Sequence, residues 1–108
     1  MAARSKSWYV YLARCADGSL YCGIARDVTR RIAEHDAGKG ARYTRGRGPL
    51  AVLLVRRYPT KGMALRVEYA IKRLERTDKE RLITSPRRLS TMARRITEGI
   101  AADSTNGA

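Results

Sequence analysis

The sequence predicts an α+β fold: a small three-stranded sheet, antiparallel or mixed, flanked by helices in the order β-β-α-β-α-α. Three observations lead there. Three short runs rich in β-branched, aromatic and aliphatic residues read as strands. Two stretches between and after them carry apolar residues at helical spacing. The 108 residues supply one hydrophobic core and leave no room for a second, and at 44% hydrophobic content that core can be filled.

Trp8 to Cys15 reads as the first strand and Leu20 to Ile24 as its return, with the Asp17-Gly18 turn signal between them. Asp27 is placed to cap a helix running to about Ala37, with Val28 and Ile32 on one face. Gly38 to Pro49 carries four glycines and four basic residues and reads as a loop long enough to serve a function. Leu50 to Tyr58 is the third strand, stopped by Pro59. Thr60 caps a second helix through Leu74, in which Ala64, Val67, Ile71 and Leu74 form the apolar stripe. Thr77 with Glu80 has the spacing of a capping box, which opens a short third helix to Ile83.

Thr84-Ser85-Pro86 marks an expected boundary, so the domain is placed at 8–83 and a basic tail at 84–108. In the tail, Leu89, Met92, Ala93, Ile96 and Ile100 keep helical spacing among Arg87, Arg88, Arg94 and Arg95. A disordered end is expected from Asp103.

Charge narrows the function. Lys and Arg number 23 against 10 acidic residues, a net charge of +13, and Ala37 to Val67 holds eight basic residues and no acidic one. A one-signed field of this kind concentrates polyanions, and nucleic acid is the commonest of them. No apolar run reaches the length of a membrane span and no signal-peptide pattern opens the chain, so a soluble cytoplasmic protein is expected. Cys15 and Cys22 with the single His35 lack the number and spacing of a zinc site, and both thiols are read as small core residues. No Walker loop, dinucleotide fingerprint or hydrolase elbow is present.

Candidate chemistry lies in a different set. The first strand contains Tyr9-Val10-Tyr11 and the second Tyr21-Cys22-Gly23. Arg31 and His35 stand four apart on the first helix and share a face. Glu68 sits beside the apolar stripe of the second helix, an unusual place for a carboxylate.

This constellation resembles the GIY-YIG nuclease superfamily, and the segment from His35 to Pro49, with Ala64 to Leu74, looks like its small standalone bacterial members. The resemblance covers roughly Trp8 to Ile83. It implies a metal-dependent endonuclease acting on DNA. Glu68 would hold one Mg²⁺ or Mn²⁺ in a water-rich shell. Arg31 would contact the scissile phosphate. Tyr11 would act as a general base or position the attacking water, with Tyr21 in the same network and His35 as a proton relay. Gly23 would let the backbone approach closely. A free tyrosine titrates near pH 10, so Tyr11 needs positive charge nearby to act as a base. Lys39, Arg42, Tyr43, Thr44, Arg45 and Arg47 of the loop are the expected nucleic-acid contacts, with Tyr43 and Thr44 placed to stack on a base or touch phosphate.

Other readings stay open residue by residue. The tyrosines serve equally as strand aromatics, His35 as a packed core histidine, Glu68 as the i,i+4 partner of Lys72, and the loop cations as a solvated surface. The family's late asparagine has no counterpart, since Asn106 lies too far on; Tyr9 replaces the first motif's glycine and Cys22 the second's isoleucine. A non-catalytic nucleic-acid-binding module therefore stands as the alternative. The hairpin offers a structural check. Side chains alternate along a strand, so Tyr11 and Tyr21 share a face only if an odd number of residues, or a bulge, links the last opposed pair.

Overall fold

Alternation along the first strand sets the architecture. β1 (Trp8–Arg14) is the central strand of an antiparallel three-stranded sheet, with β2 (Leu20–Ala25) on one side and β3 (Ala51–Tyr58) on the other. The computed structural model describes residues 7–40 and 44–106, with side chains through residue 96. Between the strands and after them come α1 (Val28–Asp36), α2 (Lys61–Lys72), α3 (Arg76–Thr84) and α4 (Pro86–Asn106). The order is β-β-α-β-α-α-α, the expected α+β fold with one helix more.

The even-numbered residues of β1, Val10 and Leu12, join Cys22, Leu54, Ala64, Val67, Ile71, Leu82 and Leu89 in the larger apolar cluster. This is the sheet face covered by α2, α3 and α4. Fully burying an aliphatic side chain stabilises the fold by about 1.5–3 kcal/mol, so this face carries most of the stability. The odd-numbered residues, Tyr11 and Ala13, go to the opposite face with Cys15, Ala25 and Leu50, against Val28 and Ile32 of α1. Both cysteines are buried free thiols, as expected.

The hairpin has an odd linker. The Cys15 amide donates to the Ser19 carbonyl (2.8 Å) and the Gly18 amide donates to Cys15 (2.9 Å), which leaves Ala16, Asp17 and Gly18 as three linking residues. Gly18 takes φ +87°, the left-handed value this turn needs. The register is Tyr11 opposite Gly23 and Ala13 opposite Tyr21, so both tyrosines face the same side. The shared-site condition is met.

The expected helix caps at Asp27 and Thr60 are present: Asp27 accepts from the Arg30 amide and Thr60 from the Met63 amide. The expected capping box of Thr77 and Glu80 is not. α3 begins at Arg76, which puts Thr77 inside the helix, and its Glu75 N-cap makes no side-chain bond. Glu80 instead takes a two-pronged pair from Arg14, at 2.6 and 3.1 Å. A bidentate, charge-assisted pair outcompetes a single amide bond at the rim.

Past Ile83 the sequence suggested a separate tail. Only Ser85 breaks the helix, Pro86 opens α4 as a first-turn proline can, and Leu89 and Ala93 are buried in the same core as the sheet. The helix continues to Asn106, through the stretch where a disordered end was expected. Ile100 lies beyond the residues whose side chains are described.

Candidate active site

On the α1 face, the polar groups converge. Tyr11 is 1% exposed and His35 2%, and the Tyr11 hydroxyl lies 2.9 Å from His35 Nε2. The other ring nitrogen, Nδ1, bonds the Thr44 hydroxyl, which is fully buried. The Tyr21 ring packs on both, with centroids 6.1 Å from Tyr11 and 5.1 Å from His35. α1 supplies His35 from its last turn and Arg31 from the turn before. The charge of the Arg31 guanidinium bears on the Tyr11 hydroxyl, while its Nη1 donates to Glu34 at 3.1 Å.

Proton positions follow from the donors available. The positive charge of Arg31 favours a Tyr11 oxygen that turns a lone pair toward it. The phenolic O–H is then directed to His35 Nε2, and Nδ1–H donates to Thr44. This assignment satisfies every member of the chain.

Electrostatics fits it. Burial first, and then the neighbouring Tyr21, raise the Tyr11 pKa well above the ordinary phenol; Arg31 opposes this and does not win. Tyr11 keeps its proton at neutral pH. His35 moves the other way, lowered by burial and by the charge of Arg31, so it is neutral and able to accept a proton. Tyr21 is also raised, chiefly by burial, against the charges of Lys72 and Arg31.

Two glycines make room. A Cβ on Gly23 would stand 2.5 Å from the Tyr11 hydroxyl oxygen and 2.9 Å from the Tyr21 ring. At Gly40, a Cβ would meet the His35 ring and also its Cα, 2.8 Å away. The first was legible in the second motif. The second was missed, and only its neighbourhood of glycines hinted at it.

Glu68 approaches from the other layer. It stands on α2 near the β2 edge of the sheet, where its charge bears on Tyr21 and on Cys22, whose thiol is pushed up to about 12 by burial and then by that carboxylate. Its side chain is 17% exposed and pairs with Lys72 at 3.6 Å, and the Lys72 ammonium lies 5.9 Å from the Tyr21 ring centroid. The i,i+4 pair considered from the sequence is therefore real, and Lys72 is a neighbour of the tyrosine cluster that the motif did not reveal. Among the described residues no group of three or more His, Cys, Asp or Glu is placed to hold a metal. A single carboxylate with water and substrate phosphate oxygens is a usual Mg²⁺ arrangement, and Glu68 fits that pattern.

The loop contributes differently from expectation. Thr44, expected at nucleic acid, has no exposed surface; the histidine it bonds holds it inward. Arg47 pins the loop to the hairpin turn: its Nη1 donates to Asp17 at 2.6 Å and its carbonyl accepts from Ala16 at 2.7 Å. Asp36 accepts from the Leu50 amide and ties down the far end. Lys39 and Arg45 are exposed; Arg42 and Tyr43 lie outside the described residues.

Comparisons with known proteins give the family. The GIY-YIG catalytic domain family matches residues 7–81. A "UPF0213 protein" of Nitratidesulfovibrio vulgaris is 56% identical over 66 residues, a match spanning 61% of this chain and 60% of that relative. A second, from Halalkalibacterium halodurans, is 50% identical over 76 residues, covering 70% and 81% of the two chains. A solution NMR structure of an E. faecalis protein superposes with a TM-score of 0.54 at 35% identity, over 78% of this chain and 90% of that one. The chain belongs to the GIY-YIG family, a nuclease superfamily whose substrates are nucleic acids. No helix among the described residues is long and apolar enough to cross a membrane.

Proposed function

We propose that this chain is a metal-dependent endonuclease that hydrolyses phosphodiester bonds in DNA. The observation that carries the reading is the buried chain from the Tyr11 hydroxyl through His35 to Thr44, with the charge of Arg31 bearing on the Tyr11 oxygen. A buried tyrosine that retains its proton is a poor base alone. Coupled to a neutral histidine it becomes a relay. As water attacks phosphorus, its proton passes to the Tyr11 oxygen while the tyrosine's own proton moves to His35 Nε2. The water oxygen forms the new P–O bond, the ester oxygen leaves with the electron pair of the broken one, and solvent protonates it.

Arg31, a third exposed along its side chain, offers its outward N–H groups to the phosphate oxygens where charge accumulates. Glu68 would hold the Mg²⁺ or Mn²⁺, which when bound supplies Lewis-acid stabilisation of the phosphoryl oxygens. Tyr21 excludes water from one side of the Tyr11–His35 bond.

The pairing of Glu68 with Lys72 favours the second reading, a non-catalytic nucleic-acid-binding module, because it offers the carboxylate a partner other than metal. Cleavage of end-labelled single-stranded, duplex and flap DNA, with Mg²⁺, Mn²⁺ or EDTA, separates the two. Metal-dependent cutting that Glu68→Ala and Arg31→Ala both abolish is expected. Binding without cutting, under every metal and on every substrate, sinks the nuclease and leaves the module.

A further inference from the structure

α4 carries more apolar surface than the core uses. Leu89 and Ala93 are buried in it, but Met92 and Ile96 only pack against its margin. Beside them lies a groove of about 650 Å³, open to solvent, between the end of α2, α3 and α4. Ala70, Leu74, Leu82, Met92 and Ile96 make its floor. Arg81 from α3 and Arg87, Arg88 and Arg95 from α4, all exposed, stand at its rim. The groove holds one carboxylate, Asp78, and Arg81 already pairs with it at 3.5 Å. Along α4 the wall runs from Arg88 through Met92 to Ile96, eight residues or about 12 Å, the length of two helical turns. The groove turns away from the tyrosine cluster. Ala70 follows Glu68 by two residues, about 200° around α2, so the groove and that carboxylate lie on opposite flanks of the helix.

We infer that this groove docks an amphipathic helix of a partner protein, with leucine-like side chains on the face that enters it and carboxylates along its flanks. The inference goes beyond the nuclease reading and does not depend on it. An open apolar groove between helices is the usual seat of an amphipathic helix, whose anchors fall at i, i+3 or i+4 and i+7. Two turns of wall match that span. Charge complementarity then selects the partner. Carboxylates on its flanks meet the arginines of the rim, and a planar guanidinium takes a carboxylate through two hydrogen bonds. A basic helix would meet like charge instead. A second copy fits poorly for the same reason, since each chain carries +13 and the pair would bring two arginine rims together. Nucleic acid satisfies the rim but not the floor, because its interfaces are polar and phosphates leave the apolar side chains uncovered. In an acidic amphipathic helix, apolar burial supplies the affinity and the flanking charges supply the specificity.

The test is fluorescence anisotropy with the full chain at about 0.15 M salt, where exposed charges are screened beyond about 8 Å. The probes are two synthetic peptides of about 18 residues, long enough to form a helix. One places leucines at i, i+3, i+4 and i+7 and glutamates on the remaining faces. The other has the same composition with the leucines scattered, so that no face is apolar. Wild type is expected to bind the amphipathic peptide about tenfold more tightly, the margin of burying at least one leucine. Met92→Gln with Ile96→Gln should remove that margin. Arg88→Gln with Arg95→Gln should weaken the amphipathic peptide about fivefold, as two exposed ion pairs would. Arg30→Gln with Lys61→Gln takes the same charge from α1 and from the opposite end of α2, and should weaken both peptides alike, by less than about twofold. Thermal melts check folding. Should the Met92, Ile96 variant fail to fold, the Arg88, Arg95 variant decides, since both of its side chains are exposed. Equal affinity of wild type for the two peptides overturns the inference, because charge alone then holds them. So does a margin that survives both groove variants, or a loss as large in the Arg30, Lys61 variant as in the Arg88, Arg95 one. Two further results would give the groove to a different occupant and overturn it as well. One is an Arg88, Arg95 variant that weakens a blunt DNA duplex and leaves the amphipathic peptide unaffected. The other is a dimer in sedimentation that the Met92, Ile96 variant disperses.

Discussion

The two faces of the sheet are built from alternate residues of the same strand and follow opposite rules. Val10 and Leu12 enter an apolar layer with Ala64, Val67, Ile71 and Leu89, where Tyr58 and the Cys22 thiol are the buried side chains that carry a polar group. Tyr11 and Ala13 enter a layer whose centre is a hydrogen-bonded polar chain, and the buried polar side chains among the described residues, His35 and Thr44, both belong to it. Burying polar groups is tolerable only when each has a partner, and here each does. One face holds the fold, and the other spends apolar area on positioning. Substitutions on the two faces should therefore separate stability from activity.

The largest expected effect is on activity. Tyr11→Phe or His35→Gln should lower kcat for DNA cleavage by about 10²–10⁴-fold, the usual contribution of proton transfer. Melting temperature should change far less than activity, because the apolar layer is untouched. Single-turnover cleavage with thermal melts on the same preparations reads both. Activity within a few-fold of wild type in either variant would remove the relay. On the other face, Ile71→Ala should cost about 2–5 kcal/mol of stability, read by urea denaturation, because a buried branched side chain leaves a cavity. Cleavage per folded molecule should stay within about twofold, too small a change to signal lost proton transfer. A deep loss of turnover in folded protein would mean that the layers are not independent.

Gly23→Ala tests the seam between them. The new Cβ would stand 2.5 Å from a hydroxyl held by His35, so Tyr11 cannot simply turn aside. Overpacking of this kind costs about 1–3 kcal/mol, and turnover should fall with it. The combined loss, from a residue with no side chain to contribute, distinguishes displacement of Tyr11 from loss of a chemical group. A variant with wild-type stability and cleavage would show that the cluster has room to relax.

What was legible in the sequence follows from how local each signal is. The hairpin, the caps at Asp27 and Thr60 and the stripe of Ala64, Val67 and Ile71 depend on neighbours a few residues away, and all are present. The parity of the hairpin even made the facing of Tyr11 and Tyr21 a condition that coordinates could check. The role of Thr44 was not legible, because its partner His35 is nine residues away across a loop and a threonine among arginines looks like a phosphate contact. Glu80 was misread for the same reason: its helical spacing points to Thr77, but its partner Arg14 is 66 residues away. α4 was read as a basic tail with a possible helix, placed outside the domain, because its charge conceals how completely Leu89 is buried.

The smallest effect is the pH dependence of stability, and it isolates one group. Burial and the charge of Arg31 lower the His35 pKa in the folded state, whereas the unfolded chain has an ordinary histidine near 6.5. Between those two values the unfolded state binds more protons, so stability rises with pH there. The contribution is complete above about pH 6.5 and is lost as pH falls through the folded pKa. Asp17 and Glu80 also have lowered pKa values, from hydrogen bonds with Ser19 and Arg14, but theirs act below the ordinary carboxylate range. Wild-type melting temperature should thus decline as pH falls below about 6.5, and His35→Gln should flatten that decline while keeping the more acid limb set by the carboxylates. A decline that persists unchanged in His35→Gln would place the titrating group elsewhere and remove the support for a neutral histidine as the relay's proton acceptor.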